Sequence, residues 1–297
     1  MKIIVTGSDG QLASDLIPAL QVARFATVGV DVEDLDITDR DKVLDFVKDA
    51  KPALIINCAA YTLVDKAEIE KDKAFKVNSD GAINLALAAK KAGAPLIHVS
   101  TDFVFDGEKN IPYTEKDPVN PLSVYGSSKL KGEAGVADAL IEHMIVRTSW
   151  LYGTSGHNFV KTILRYASER EFLRVVYDQT GGPTWTENLS DAIVKMVKTY
   201  NEDNRLDYGV YHYSNEGVAS WYDFAVAVIE LAVEAGINIR CKRVEPILTT
   251  EYPTPAKRPT YSVLDKRKVK NTFGIAIPHW RASLKEMIKN YYGGIHE

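Results

Sequence analysis

A tyrosine and a lysine four residues apart, in Tyr125-Gly126-Ser127-Ser128-Lys129, have a spacing that could do chemistry. On a helix, positions i and i+4 share one face, so the phenol and the ammonium stand side by side. A tyrosine titrating near pH ~10 is a poor acid–base catalyst at neutral pH. A neighbouring cation stabilises the phenolate and brings it closer to the working range. Such a pair suits reduction of a ketone, with hydride arriving at carbon and the phenol protonating oxygen. The pattern arises often by chance, and its weight comes from its company. Thr101, 24 residues before Tyr125, follows an apolar run and offers a hydroxyl to hold a carbonyl oxygen. Near the start, Gly7, Gly10 and Ala13 recur every third residue between a β-rich run and a helical one. Glycines there let the backbone turn tightly against a pyrophosphate, whose charge is favoured by the free N–H groups of the helix start. Asp31, 21 residues after Gly10, stands where an acid can bind the ribose hydroxyls of a dinucleotide. NADH and NADPH both remain open as the cofactor.

The elements that must position these groups alternate between two periods. Short apolar runs at 2–6, 25–30, 54–59, 96–100 and 144–149 read as strands, and 11–23, 40–50, 64–92 and 125–143 have helical spacing. Strand and helix in repetition mean right-handed crossovers and a parallel sheet covered on both faces. The expected fold class is α/β, a Rossmann-type doubly wound parallel sheet with a smaller mixed α/β C-terminal substrate domain. The expected division is 1–153 for dinucleotide binding and 154–297 for substrate, with strands near 173–178 and 209–214 returning to the first sheet. In the second half, 158–170, 187–200, 220–235 and 283–291 read as helices, and Ser220 is a plausible N-cap. The stretch 246–259, with four prolines, reads as loop.

Composition narrows the function classes. The chain has 297 residues, 45% hydrophobic and 26% charged, with net charge -4, which suits a globular protein of about two domains. No basic block gives a footprint for nucleic acid, and the lysine runs at 66–76 and 266–270 read as solvated faces. No apolar run approaches the roughly 18 residues needed to span a bilayer. The opening Met1–Val5 reads as a strand rather than a signal peptide, so a cytoplasmic protein is expected. Cys58 and Cys241 form no disulfide framework, and the six histidines fall singly, so no metal site is expected.

With these motifs assembled, the sequence resembles the extended short-chain dehydrogenase/reductases, and within them the dTDP-4-dehydrorhamnose reductases. The resemblance runs through segments 7–12, 35–38, 57–68, 77–78, 100–107, 121–133, 147–153, 158–160, 178–184, 220–225 and 258–259. It implies Thr101, Tyr125 and Lys129 as the catalytic trio, with the last two also touching the cofactor. It implies Gly7, Gly10, Gln11, Leu12, Asp31, Asp36, Ile37, Ala59, Ala60, Tyr61 and Asn78 around the nicotinamide dinucleotide. Val64, Thr101, Asp102 and Trp150 would line a dTDP-sugar, with the Trp150 indole over the deoxysugar. Similar nucleotide-sugar 4,6-dehydratases carry an Asp-Glu pair after the threonine for water elimination. Here Asp102 is followed by Phe103, which implies simple reduction of a C4 ketone, giving dTDP-L-rhamnose for the family's substrate. Members also commonly carry tyrosine at position 103 and glycine at position 13. The resemblance allows a homodimer. It leaves open a reductase or epimerase of another nucleotide sugar, and a regulatory subunit like that of methionine adenosyltransferase.

Overall fold

The computed structural model of the chain describes residues 1–203 and 207–293. In the first half the strands are β1 (Lys2–Thr6), β2 (Ala26–Val30), β3 (Leu54–Asn57), β4 (Leu96–Thr101) and β5 (His143–Thr148). The second half adds β6 (Leu151–Tyr152), β7 (Phe172–Val176), β8 (Thr180–Gly181), β9 (Thr184–Trp185), β10 (Gly209–His212), β11 (Ala219–Ser220) and β12 (Arg243–Ile247). The helices of the first half are α1 (Ala13–Val22), α2 (Arg40–Ala50), α3 (Val64–Ala67), α4 (Lys71–Phe75), α5 (Ala82–Ala92) and α6 (Val124–Ala139). Those of the second are α7 (Phe159–Glu169), α8 (Thr186–Asp203), α9 (Trp221–Glu234), α10 (Arg267–Phe273) and α11 (Trp280–Gly293). Among the described residues no helix is long and apolar enough to cross a membrane.

Six strands pair in parallel in the order β10-β5-β4-β3-β1-β2. Ile3, Ile4, Val5, Leu54, Ile55 and Ile56 are all fully buried, because each strand has covered faces on both sides. One face carries α1 and α8, whose Leu16, Leu20, Leu189 and Ile193 share a core with Ile3 and Val5. The other carries α2, α5 and α6, with Val43, Leu85 and Val136 packed on Ile4 and Ile55.

The strands expected to return to this sheet part company. Gly209–His212 lies beside β5, whereas Phe172–Val176 pairs with Arg243–Ile247 apart from it. Its register follows burial: Leu173 and Val175 turn into a second core, formed by α7, α9 and α11 with Tyr152, Trp185 and Phe224. Helix α8 and Val269 and Phe273 of α10 belong to the first core. Layers around the six-stranded sheet therefore draw on residues well beyond 153. The helix expected over 64–92 is broken into α3, α4, a π-helical turn at Lys76–Gly81, and α5. Gly93 ends α5 in the left-handed conformation with φ 66°.

Candidate active site

A cleft of about 770 Å³ opens beyond the carboxyl ends of the strands, where open parallel sheets bind ligands. Gly7, Gly10, Gln11, Leu12, Asp31, Asp36 and Ile37 line one end. Ala59, Ala60, Tyr61 and Val64 form one wall, and Thr101, Asp102, Tyr125, Lys129 and Trp150 line the rest. The structure thus brings together every residue expected at the site except Asn78.

The glycine end is shaped by backbone. Gly7 has φ +68°, and a Cβ there would lie 2.7 Å from both the Cα and the N of Ala59. The turn after β1 therefore touches the turn after β3, and only glycine fits between them. No side chain caps α1; Ser14, Asp15 and Leu16 donate to the Gly10 and Leu12 carbonyls, which leaves the N–H groups of Gln11, Leu12 and Ala13, all lining the cleft, for an anion. Asp31 receives hydrogen bonds from the Asp9 N–H at 2.9 Å and the Val32 N–H at 2.7 Å, which fix its carboxylate at the end of β2. Beneath Ala59, Asn57 Oδ1 accepts from Thr6 Oγ1 at 2.8 Å and from the Ala59 N–H at 3.0 Å. These contacts make a cradle suited to a dinucleotide.

Asn78 lies behind the wall rather than in it. Its Oδ1 accepts from the Tyr61 N–H at 2.8 Å, and its Nδ2 donates to the Tyr61 carbonyl at 3.0 Å and to Ser128 Oγ at 2.9 Å. It is fully buried and belongs to the π-helical turn, whose irregular backbone aims the amide at Tyr61. Asn78 does not line the cleft, and its hydrogen bonds hold Tyr61, which does.

Two close approaches bring Thr101 to Tyr125. Ser123 caps α6 by accepting from the Gly126 N–H at 3.1 Å. A Cβ at Gly126 would lie 2.2 Å from the Phe103 carbonyl, so the first turn of α6 rests directly on the turn after β4. The Phe103 ring meets Tyr125 edge-on at 5.5 Å. The Thr101 hydroxyl faces the phenol and pulls its pKa down, but burial dominates and pushes it up to about 12, helped by the Asp102 charge.

Lys129, one turn on, is buried and donates through Nζ to the Val99 carbonyl at 2.7 Å. Burial brings its pKa down to about 8, against the opposing pull of Glu133 and Cys58. Burial outweighs the lowering of the phenol expected from Lys129, whose ammonium also bonds to a strand carbonyl.

Asp102 is the least comfortable group in the cleft. Burial pushes its carboxyl up to about 6, eased by the neighbouring Ser262 and Thr101 hydroxyls. Thr101 Oγ1 donates to its Oδ1 at 3.1 Å, while its Oδ2 is buried without a hydrogen-bond partner. Trp150 stacks on Trp221 with centroids 3.5 Å apart and planes 4° from parallel. It holds φ at 47°, a strained conformation for a bulky residue that costs about 1–3 kcal/mol and collects at functional sites.

Sequence reasoning missed several lining residues, including Asp9, Cys58, Phe103, Ser149 and His157. It also missed a bridge between the halves, in which Asn158 Nδ2 donates to Gln11 Oε1 at 2.8 Å and Gln11 Nε2 to the Leu151 carbonyl at 3.2 Å. Asn158 did carry one signal, its cap of α7 through the Lys161 N–H.

Comparison with known proteins agrees with this geometry. The model of the RmlD substrate binding domain matches residues 1–292. A dTDP-4-dehydrorhamnose reductase of Aggregatibacter actinomycetemcomitans is 41% identical over 287 residues, covering 96% of this chain and 98% of the relative. The crystal structure of a dTDP-4-dehydrorhamnose reductase from Clostridium acetobutylicum superposes with TM-score 0.92 at 43% identity, covering 98% of this chain and all of that one. The Bacillus anthracis reductase, solved in complex with NADP, has TM-score 0.90 at 39% identity, covering 97% and 99%. The chain belongs to the dTDP-4-dehydrorhamnose reductase family.

Proposed function

We propose that this protein reduces the C4 ketone of dTDP-4-dehydrorhamnose to dTDP-L-rhamnose with a reduced nicotinamide nucleotide. The observation that carries the reading is the gathering of Thr101, Tyr125 and Lys129 in one cleft whose far end is the Gly7–Gly10 turn. That turn and Asp31 would hold the cofactor, which would supply the hydride for the carbonyl carbon. Asp31 is placed to bind the adenosine ribose, and the reading takes NADH and NADPH both as candidate reductants.

The chain's own groups handle the proton and the geometry. Tyr125, with its pKa near 12, is fully protonated at neutral pH and gives its proton to the carbonyl oxygen. Thr101 donates a hydrogen bond to the same oxygen and holds it beside the phenol. Lys129 stabilises the phenolate left behind and contacts the nicotinamide ribose. Asp102, which accepts from Thr101, lines the sugar end with Val64, and Trp150 covers the ring. The reading places the protein in the cytoplasm and is compatible with a homodimer.

The test follows nicotinamide absorbance with dTDP-4-dehydrorhamnose and each nucleotide. Wild-type protein is expected to oxidise NADH or NADPH rapidly. Tyr125→Phe should bind the same nucleotide normally and lose turnover by about 10²–10⁴-fold. Near-normal rates in that variant would remove Tyr125 from its role, and tight nucleotide binding without oxidation would favour a regulatory protein.

A further inference from the structure

The segment that follows β12 comes back beside the cleft, where Arg258 meets Asp65, next to the lining residue Val64, and Ser262 lies by Asp102. Its ends are tied by ordinary contacts. At the start, the Thr249 N–H and hydroxyl both donate to Asp178, the hydroxyl at 2.7 Å. At the finish, the Thr260 hydroxyl donates to the Gly107 carbonyl at 2.9 Å, and the Ser262 N–H to the Thr180 carbonyl at 2.8 Å.

The middle is held in another way. Asp65, the residue after Val64, accepts from Arg258 Nη1 at 3.1 Å, from Arg258 Nη2 at 2.9 Å and from the Ala256 N–H at 3.1 Å. Arg258 Nη1 also folds the turn onto itself, donating to Thr254 Oγ1 at 2.6 Å and to the Ala256 carbonyl at 3.1 Å. One carboxylate and one guanidinium thus join α3 to a turn 193 residues away.

Most ion pairs at a protein surface contribute little. This one differs in geometry, because the fork meets the carboxylate with both terminal nitrogens and so fixes direction as well as distance. The guanidinium side chain is 24% exposed, and its bonds point into the joint rather than toward the cleft. It is therefore a structural tie and not a spare cation for a diphosphate. The Asp65 carboxyl, held below its usual range first by Arg258, stays ionised.

We infer that Asp65 and Arg258 are a positioning pair for the sugar nucleotide, clamping the 254–258 turn against the Val64 wall and so setting the rim of the substrate end. The inference rests on the reading that a dTDP-sugar occupies that end. The cofactor cradle at Gly7 and Asp31 is anchored independently, so loosening the clamp should separate the two ligands.

The experiment uses the full chain and four forms: Arg258→Met, Asp65→Asn, Arg258→Lys and the exchanged double variant Asp65→Arg with Arg258→Asp. KM for dTDP-4-dehydrorhamnose and Kd for dTDP are measured alongside Kd for NADH. Expected are roughly tenfold rises in KM and in dTDP Kd for Arg258→Met and Asp65→Asn, with NADH Kd changing less than about twofold. Lysine, lacking the fork, should recover little, and the exchanged pair should recover part of the loss. Unchanged KM and dTDP Kd overturn the inference, as does a loss shared equally by NADH, which marks general loosening. If wild type oxidises neither NADH nor NADPH, the reductase reading fails, while the dTDP affinities still decide the clamp.

Discussion

Gly7 and Gly93 hold nearly the same left-handed backbone, φ +68° and +66°, in opposite surroundings. A Cβ at Gly93 meets nothing within 4 Å, whereas one at Gly7 would lie 2.7 Å from two backbone atoms of Ala59. The conformation alone costs an L-residue about 1–2 kcal/mol. Overpacking against backbone adds about 1–3 kcal/mol. Gly93→Ala should therefore destabilise by about 1–2 kcal/mol, and Gly7→Ala by about 2–5 kcal/mol. An unfolding entropy of about 2 cal/mol/K per residue converts these, for a chain of this length, to Tm losses of about 2–3 °C and about 3–8 °C. Gly7→Ala should also weaken NADH binding at least about tenfold, because the displaced turn is the anion cradle, and Gly93→Ala should leave it alone. Differential scanning calorimetry and a fluorescence titration with NADH read the two effects. Equal Tm losses, or wild-type NADH affinity in Gly7→Ala, would refute the claim that close approach to Ala59 builds the cradle.

Two further outcomes depend on pH. The folded chain prefers Asp102 neutral, with its pKa raised from 3.8 to about 6, so this group's stabilising contribution is full below about pH 4 and lost as pH rises through 6. Asp102→Asn should thus be more stable than wild type at pH 7, by up to about 3 kcal/mol, and show no advantage near pH 4; thermal melts at the two pH values check this, and an advantage unchanged between them contradicts it. Lys129, depressed to about 8, loses its charge above that pH while Tyr125 is still protonated, so kcat should fall as pH rises past 8. A pH–rate profile flat to pH 10 would show that the ammonium is not needed.

The first half of the fold was legible because its signals are local. Apolar runs mark buried parallel strands, and Gly93 marks the end of α5. Ser220 and Asp223 form a reciprocal cap at the start of α9, three residues apart in sequence and therefore readable. What was missed depends on distant partners. Arg243–Ile247 contains a proline and has no apolar alternation, and it becomes a strand through its pairing with Phe172–Val176. The lysine run at 266–270 reads as solvated, yet it belongs to a helix that buries Val269 and Phe273. At the site, residue types and order revealed the cleft, but not where side chains spend their hydrogen bonds. Asn78 is taken by Tyr61, Lys129 by Val99, and Arg258 by a carboxylate much earlier in the chain.

The sharing of the first core between the two ends of the chain bears on how the protein is made. The apolar stripe of α1, with Leu16 and Leu20, is covered by Leu189 and Ile193 of α8. At about 5–20 residues per second, a ribosome delivers that cover on the order of ten to thirty seconds after α1 itself. The sheet then still awaits β10, its outermost strand beside β5. The nucleotide-binding layer is thus begun first and closed late, and an unfinished chain presents α1 as a sticky stripe on which chaperones can act during translation.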